Sequence, residues 1–193
     1  MDGWWAASYI VLWLLVVVLS IVVVALARQI GTLHLRLGPR GALEVDTEGP
    51  PIGEAPAPSS WSDLTGSPVE IAGPGRWQVV LFASPSCHLC DQIAPSLHIA
   101  ARSRSADAVV VVDADEHETR LAYSSKDLAA PVIAAPELVR SFEIPGTPFV
   151  VVLDDLGVVR AKGTANNLEQ LEGLIDTAIE RSRRDEVAWS SAS

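Results

Sequence analysis

Two cysteines, Cys87 and Cys90, are the residues of this sequence whose type and spacing point most directly to chemistry. The chain of 193 residues contains no other cysteine. A disulfide between them would close a very small loop, so it would crosslink no distant segments. The Cys-x-x-Cys spacing is typical of redox pairs in proteins that alternate strands and helices. The sequence therefore predicts a pair that forms and breaks a disulfide as part of its chemistry.

The flanking segments predict that this pair opens a helix. The apolar run WQVVLFA at 77–83 predicts a buried strand, and apolar residues recur every three to four positions over 84–103, which predicts a helix. Free N–H groups and a positive partial charge at a helix N-terminus stabilise a thiolate. Cys87 is therefore the expected nucleophile. Cys90, the expected resolving thiol, should be the more buried of the two.

Two other interpretations of the pair remain open at this point. A structural zinc site takes four ligands, and the nearest further candidates are His88, between the cysteines, and His98, about two helical turns along. The second alternative is a pair of buried core thiols without chemistry. We predict no metal site, and no cofactor other than a redox-active Cys87–Cys90 disulfide.

Two prolines support the redox interpretation. Pro95 falls inside the predicted helix, where a proline costs roughly 3 kcal/mol and so needs a compensating reason. Thr147-Pro148 directly precedes a predicted strand, and an X–Pro bond is the kind that adopts the cis form. A cis-proline loop facing the cysteines would offer backbone groups to a bound peptide. An ordinary strand-edge proline is an equal alternative from the local sequence.

The rest of the pattern predicts an α/β domain with a partly parallel sheet. Leu121 and Leu128 are the expected apolar anchors of a helix over 116–127. The other predicted elements are a hairpin at 63–71, strands at 108–115, 148–154 and 158–163, a short strand and helix within 131–144, and a last helix capped by Asn166 or Asn167.

The N-terminal segment predicts a membrane anchor. The 24 residues from Trp4 to Ala27 include no Asp, Glu, Lys or Arg. As a helix they would span about 36 Å, more than the roughly 30 Å hydrocarbon core of a bilayer. A cleaved signal peptide is the alternative, but it would have a basic start and a shorter apolar core. We predict a single transmembrane helix whose residues 4–27 contact lipid.

Composition divides the chain into four parts. We predict an anchor with its juxtamembrane segment over 1–40, a Pro/Gly-rich linker over 41–60, a globular domain over 61–182 and a flexible tail over 183–193.

The net charge is −10, which disfavours nucleic acid as a partner.

Three motifs in order resemble the thioredoxin superfamily. The cysteine pair opens a helix, Pro95 follows five residues after Cys90, and Thr147-Pro148 precedes a strand that ends in a glycine hairpin. The resemblance covers about residues 61–180. It implies a thioredoxin-like fold, a central mixed sheet flanked by helices, in which Pro148 is the cis-proline and Thr147 and Pro148 dock the substrate.

Further segments narrow the resemblance. DLTGSPVEI at 63–71 looks like the membrane-tethered, TlpA-like disulfide reductases, and ARQIGTLHLRLGPRGAL at 27–43 with GPPIGEAPAP at 49–58 resembles the MauD family of methylamine utilisation proteins. The resemblance implies a thiol–disulfide oxidoreductase that helps disulfides form in a secreted dehydrogenase subunit. A protein thiol or disulfide is then the substrate, and a redox partner recharges the cysteines.

The motif also departs from thioredoxins. Ser86 stands where they usually have Trp, and Leu81 stands where they often have a buried acid. Proton removal from Cys90 then needs water or another group. A protonated His88 would stabilise the thiolate and make the pair more oxidising. The alternative is that His88 is an exposed bystander.

Two features of the sequence favour opposite positions of the domain relative to the membrane. Arg28, Arg36 and Arg40 all follow the anchor, so the positive-inside rule favours a cytoplasmic domain. The resemblance, and the reducing cytosol, favour an extracytoplasmic domain, which we predict.

Two other functions compete with the oxidoreductase. The main alternative is a non-catalytic thioredoxin-fold docking or assembly module at the membrane. A peroxidase-type redoxin is disfavoured, since no Thr and Arg pair precedes Cys87.

Overall fold

The computed structural model describes residues 3–36, 43–44 and 48–192. The chain divides into two compact units, residues 1–40 and residues 41–193. Helix α1, Gly3–Arg36, forms the first unit. Its described side chains, those of Trp4, Trp5 and residues 8–22, are exposed.

The membrane anchor predicted for residues 4–27 is not confirmed. No helix in the described part of the chain is both long enough and apolar enough to cross a membrane. The side chains at 6–7 and 23–27 of the predicted anchor lie outside the described part.

The second unit is a mixed sheet flanked by helices, the α/β architecture that the sequence predicts. Among the described residues, the sheet has six strands in the order β1-β8-β7-β4-β5-β6, and β2 and β3 form a separate antiparallel hairpin. The strands are β1 Leu43–Glu44, β2 Ser59–Ser62, β3 Pro68–Ile71, β4 Gln78–Ala83, β5 Asp107–Val112, β6 Val132–Ala134, β7 Phe149–Leu153 and β8 Val159–Thr164. The helices are α2 His88–Arg102, α3 Glu116–Tyr123, α4 Pro136–Ser141 and α5 Leu168–Ala192.

Strand β4 lies inside the sheet, which is why its sequence is a continuous apolar run. It pairs in parallel with β5 and antiparallel with β7, so that Phe82 lies opposite Val111 on one side and Phe149 on the other. Because β7 runs against β4, the C-terminal end of β4 and the N-terminal end of β7 meet at one edge of the sheet. That edge receives both the cysteine pair and Thr147-Pro148.

Helices α2 and α5 pack against one face of the sheet. Ile93 and Leu97 of α2 are buried, as the periodicity predicts. Of the two anchors predicted for the helix over 116–127, Leu128 packs against the core, but the prediction for Leu121 was wrong. In α3, Leu121 is 71% exposed, while Tyr123 is 2% exposed. A helix of eight residues has too few apolar positions to fix its buried face by pattern, and the larger aromatic side chain takes the interior position.

Part of the predicted linker packs on the sheet instead. We call residues 48–54 the N-terminal strap. Gly53 N–H donates to Val159 O at 2.8 Å, and Val159 N–H donates to Glu54 O at 2.9 Å. Lys162 Nζ donates to Gly49 O at 3.4 Å. The prolines do produce an extended chain, but this chain covers the edge of β8, whose backbone groups need partners.

Gly49 shows how closely the strap approaches the sheet. Its φ is +74°, and a Cβ there would lie 3.0 Å from the Cε1 atom of Phe149. A side chain at this position would therefore meet both backbone strain and the ring. The structure thus differs from the linker predicted over 41–60, of which residues 41–42 and 45–47 lie outside the described part.

The last helix also runs further than predicted. Asn167 Oδ1 accepts the N–H of Gln170 at 2.9 Å, so the expected N-cap is confirmed. Helix α5 then continues to Ala192, through most of the predicted flexible tail. Asp185, within that segment, pairs with Arg160 at 2.5 Å, and this ion pair joins the helix extension to β8.

A buried carboxylate organises the turn between β7 and β8. Asp154 is 1% exposed. Its Oδ1 accepts the N–H groups of Leu156 and Val158, both at 2.9 Å, and its Oδ2 accepts Arg160 Nε–H at 2.6 Å. Each carboxylate oxygen therefore has a partner, and the charge is compensated.

We expect Asp154→Asn to destabilise the second unit by about 1–3 kcal/mol, because it removes the buried carboxylate that pairs with Arg160 and leaves that guanidinium only its exposed partner Asp185. Asp155→Asn, at the exposed neighbouring position, should change the free energy of unfolding by less than about 0.5 kcal/mol. Urea titrations of both variants check this, and equal losses would contradict the role given to Asp154.

Candidate active site

The two cysteines form a disulfide at the start of α2. The S–S distance is 2.04 Å and the Cα atoms are 5.3 Å apart. Cys87 is the N-cap residue of the helix, and its Sγ accepts the N–H of Cys90 at 3.1 Å. After reduction, the sulfur of Cys87 would lie against the free N–H groups of the helix, an environment that favours the thiolate.

The two cysteine residues differ in exposure. Cys90 is completely buried, whereas Cys87 is half-buried, in the order that the sequence predicts. Ser86 and His88 are exposed on either side of Cys87. A sulfur of a partner protein therefore meets Cys87 first.

The cis-proline loop lies at the same edge of the sheet. The Thr147-Pro148 peptide bond is cis, as the resemblance implies. Pro148 is buried and Thr147 is half-buried, while Pro145 and Gly146 before them are exposed. Thr147 Oγ1 lies 3.0 Å from Ser84 Oγ, so the loop is bonded to the segment that leads into the cysteines.

Ser84 is a site residue that the sequence prediction missed. Its carbonyl oxygen accepts the N–H of Cys87 at 3.1 Å, which closes a four-residue turn with Pro85 in the second position, where proline is favoured. The same oxygen accepts the Tyr123 hydroxyl over a longer 3.4 Å. A Ser-Pro pair directly after an apolar run signals a turn and could have pointed to Ser84. No local signal points to Tyr123.

No acidic side chain lies at the position where thioredoxins often carry one, because Leu81 occupies it and is completely buried. Asp91, directly after Cys90, instead pairs at the surface with Lys126. Lys126 Nζ lies 4.1 Å from the centroid of the Tyr123 ring, within cation–π distance. The described charges next to the cysteines thus form a compensated pair at the surface.

Two further sequence expectations bear on the site. Helix α2 continues through Pro95 to Arg102, so the proline does not end the helix. No group of three or more described His, Cys, Asp or Glu residues is arranged to hold a metal ion.

Burial, with a smaller contribution from the negative charge of Asp91, raises the pKa of Tyr123 from 10.0 to about 12. The unfolded chain would then lose the phenol proton first as the pH rises. The stability contributed by the neutral hydroxyl is complete below about pH 10 and is lost as the pH approaches about 12.

We expect the free energy of unfolding to fall more steeply between about pH 10 and 12 in the wild type than in Tyr123→Phe, by up to ~1.4 kcal/mol per pH unit. Urea titrations across this range measure the difference. Phenolate absorbance, compared between the two proteins, reports the titration of Tyr123 itself. A Tyr123 phenol that titrates at its ordinary value would contradict the prediction.

Known proteins match nearly the whole chain. The methylamine utilization protein MauD of Paracoccus denitrificans is 34% identical over 180 residues, which cover 91% of this chain and 90% of that protein. MauD of Methylorubrum extorquens is 35% identical over 175 residues, covering 88% and 84%. No protein-family profile matches the chain.

Solved structures share the fold at lower identity. A putative thiol:disulfide interchange protein DsbE from Chlorobium tepidum has a TM-score of 0.59 at 17% identity, covering 68% of this chain and 98% of that one. The thioredoxin domain of a thiol-disulfide oxidoreductase from Bacteroides vulgatus has a TM-score of 0.53 at 19% identity, covering 67% and 96%. These likenesses establish the thioredoxin fold.

The sequence relationship goes further than a shared fold. The region aligned with MauD of Paracoccus denitrificans is 34% identical and covers 91% of this chain. It therefore includes most of the segment before the sheet as well as the sheet itself. The chain therefore belongs to the MauD family of methylamine utilization proteins.

Proposed function

We propose that this chain is a protein thiol–disulfide oxidoreductase that works through Cys87 and Cys90. The observation that carries the proposal is the Cys87–Cys90 disulfide at the N-terminus of α2, with Cys87 half-buried and Cys90 completely buried. The Thr147-Pro148 loop, which contacts Ser84 three residues before Cys87, would provide a surface on which a peptide can dock.

Thiol–disulfide exchange would take place in two steps. In the reducing direction, the Cys87 thiolate attacks one sulfur of a substrate disulfide, and the other substrate sulfur leaves as a thiolate. Cys90 loses its proton to water and attacks Cys87 Sγ, which releases the first substrate sulfur and closes the Cys87–Cys90 bond. The substrate gains two electrons and the cysteine pair loses two. In the oxidising direction the same steps run in reverse.

The names of the relatives support a proposal for the substrate. The relatives are named for methylamine utilization. We therefore propose that the substrate is a disulfide-bonded subunit of an extracytoplasmic dehydrogenase that resembles methylamine dehydrogenase. A separate redox protein would recharge the cysteine pair. The exposed Ser86 and His88 beside Cys87 would meet these partners and modulate the thiolate.

The proposal includes a membrane tether. The uncharged run from Trp4 to Ala27 supports an anchor in the cell membrane, with the second unit on the extracytoplasmic side. Thiols in the cytosol are kept reduced, so a disulfide carrier is more useful outside it. The arginines at 28, 36 and 40 argue for the opposite orientation, which makes the topology a necessary test.

The competing function is a non-catalytic docking module. In that case the exposed Pro145 and Gly146, with Thr147-Pro148, would bind a partner while the cysteines had no role. The accessible and buried sulfurs at a helix N-terminus favour exchange over this alternative.

We expect the full-length chain, equilibrated with glutathione buffers, to display a reversible two-electron couple. A potential near about −270 mV would identify a reductant and one near about −120 mV an oxidant.

Cys90→Ser should accumulate a mixed disulfide with a peptide disulfide, because no resolving thiol remains. Cys87→Ser should accumulate none, because Cys90 is buried.

Non-reducing electrophoresis and mass spectrometry of the trapped species distinguish the two variants. Equal trapping by both would contradict the assignment of Cys87 as nucleophile. The absence of any reversible couple would leave the docking module as the function.

We expect protease added to spheroplasts to digest the second unit without lysis, while a cytosolic marker protein stays intact. The protein should also stay with the membrane fraction after an alkaline wash and be released by detergent. Protection of the second unit until lysis would place it in the cytoplasm and overturn the proposed orientation.

A further inference from the structure

A hydroxyl pair beyond the end of β4 has no part in the exchange steps themselves. Ser84 Oγ and Thr147 Oγ1 are 3.0 Å apart, although the two residues are 63 positions apart in the chain. Both residues are half-buried. The pair joins the turn that leaves β4 to the loop that enters β7.

The hydroxyl pair lies just beyond the end of the ladder between β4 and β7. The ladder between β4 and β7 ends with Phe82 opposite Phe149. Past that point the two chains diverge, one toward Cys87 and the other back through Pro148. The hydroxyl pair bridges them where the strand pairing has stopped.

Ser84 is held from two further directions. Its carbonyl accepts the N–H of Cys87 at 3.1 Å and the hydroxyl of Tyr123 at 3.4 Å. Tyr123 is itself 2% exposed. The location of the Ser84 hydroxyl is therefore fixed relative to Cys87, and the hydroxyl pair transmits that location to Thr147.

We propose that Ser84 is a positioning residue that sets the distance between the Cys87 turn and the Thr147-Pro148 loop. This inference rests on the proposed thiol–disulfide exchange and deepens it. A peptide substrate must present its sulfur to Cys87 while its backbone lies on the Thr147-Pro148 loop. A small disulfide without a peptide backbone needs Cys87 alone. Ser84 thus acts on the capture of peptide substrates and leaves the reactivity of the sulfur to α2.

The test compares two substrates of the full-length chain: a short peptide with one disulfide, and an aromatic disulfide without a peptide backbone. Ser84→Ala should slow exchange with the peptide roughly two- to tenfold, the range expected for one hydrogen bond. Its rate with the aromatic disulfide and its reduction potential should stay at the wild-type values. Ser84→Thr, which keeps a hydroxyl, should recover most of the peptide rate.

Ser103→Ala is the matched control. At the far end of α2, Ser103 Oγ donates to Ala100 O at 2.8 Å and accepts an N–H of Arg104 at 2.8 Å, so this variant also removes the hydrogen bonds of one serine hydroxyl, but away from the cysteines. It should leave both rates unchanged. An equal selective loss in Ser103→Ala would overturn the inference.

Thr147→Val removes the same hydroxyl pair from the other side and serves even where Ser84→Ala folds poorly. If the two hydroxyls act together to position the loop, the double variant Ser84→Ala/Thr147→Val should exchange with the peptide no more slowly than the slower single variant. Additive losses, equal losses with both substrates, or no loss at all would overturn the inference while leaving the proposed function intact. A wild-type chain that exchanges with neither substrate would overturn the proposed function, and the inference with it.

Discussion

The antiparallel pairing of β4 with β7 is the constraint on which the site depends. Because Phe82 lies opposite Phe149, the chain leaving β4 and the chain entering β7 meet at one edge of the sheet. The cysteine pair follows the first chain by a single turn, and Pro148 directly precedes the second strand. Neither segment carries a signal in its own sequence that it must meet the other. Both strands are buried along almost their whole length, so their backbone groups depend on this ladder for hydrogen-bond partners.

The chemistry then depends on the contrast between the two sulfurs. Cys87 takes the N-cap position, with a helix N–H directed at its sulfur, while Cys90 faces the apolar interior with Ile93 and Leu97. Leu81 lies in the strand below, so the described interior at this point provides no carboxylate to receive a proton. Proton removal from Cys90 then needs water or another group. The polar contacts around the site run through Ser84 instead, which links Cys87, Tyr123 and Thr147.

The N-terminal strap packs on the sheet, although the composition of the chain places it in the linker before the predicted globular domain. Proline and glycine over 48–54 look like a tether, yet the backbone of this segment bonds to the edge of β8 and Gly49 lies against Phe149. Phe149 directly follows Pro148, so the strap forms part of the packing behind the cis-proline. A segment without hydrophobic periodicity can still be part of a core when the sheet edge beside it has unpaired backbone groups.

The sequence by itself determined the chemistry and the class of fold. The cysteine spacing and the apolar strand before it are local patterns with local physical causes, and they predicted the redox pair, the buried Cys90 and an α/β domain with a partly parallel sheet. The thioredoxin-like fold and the cis form of Thr147-Pro148 were what the family resemblance implied. Only the tertiary structure decided that Tyr123 rather than Leu121 is buried, that residues 48–54 pack on β8, and that Ser84 contacts Thr147. Each of these depends on which segments become neighbours in space. A single sequence does not encode that choice locally, because it arises from competition among distant parts of the chain for the same buried surface and the same unpaired backbone groups.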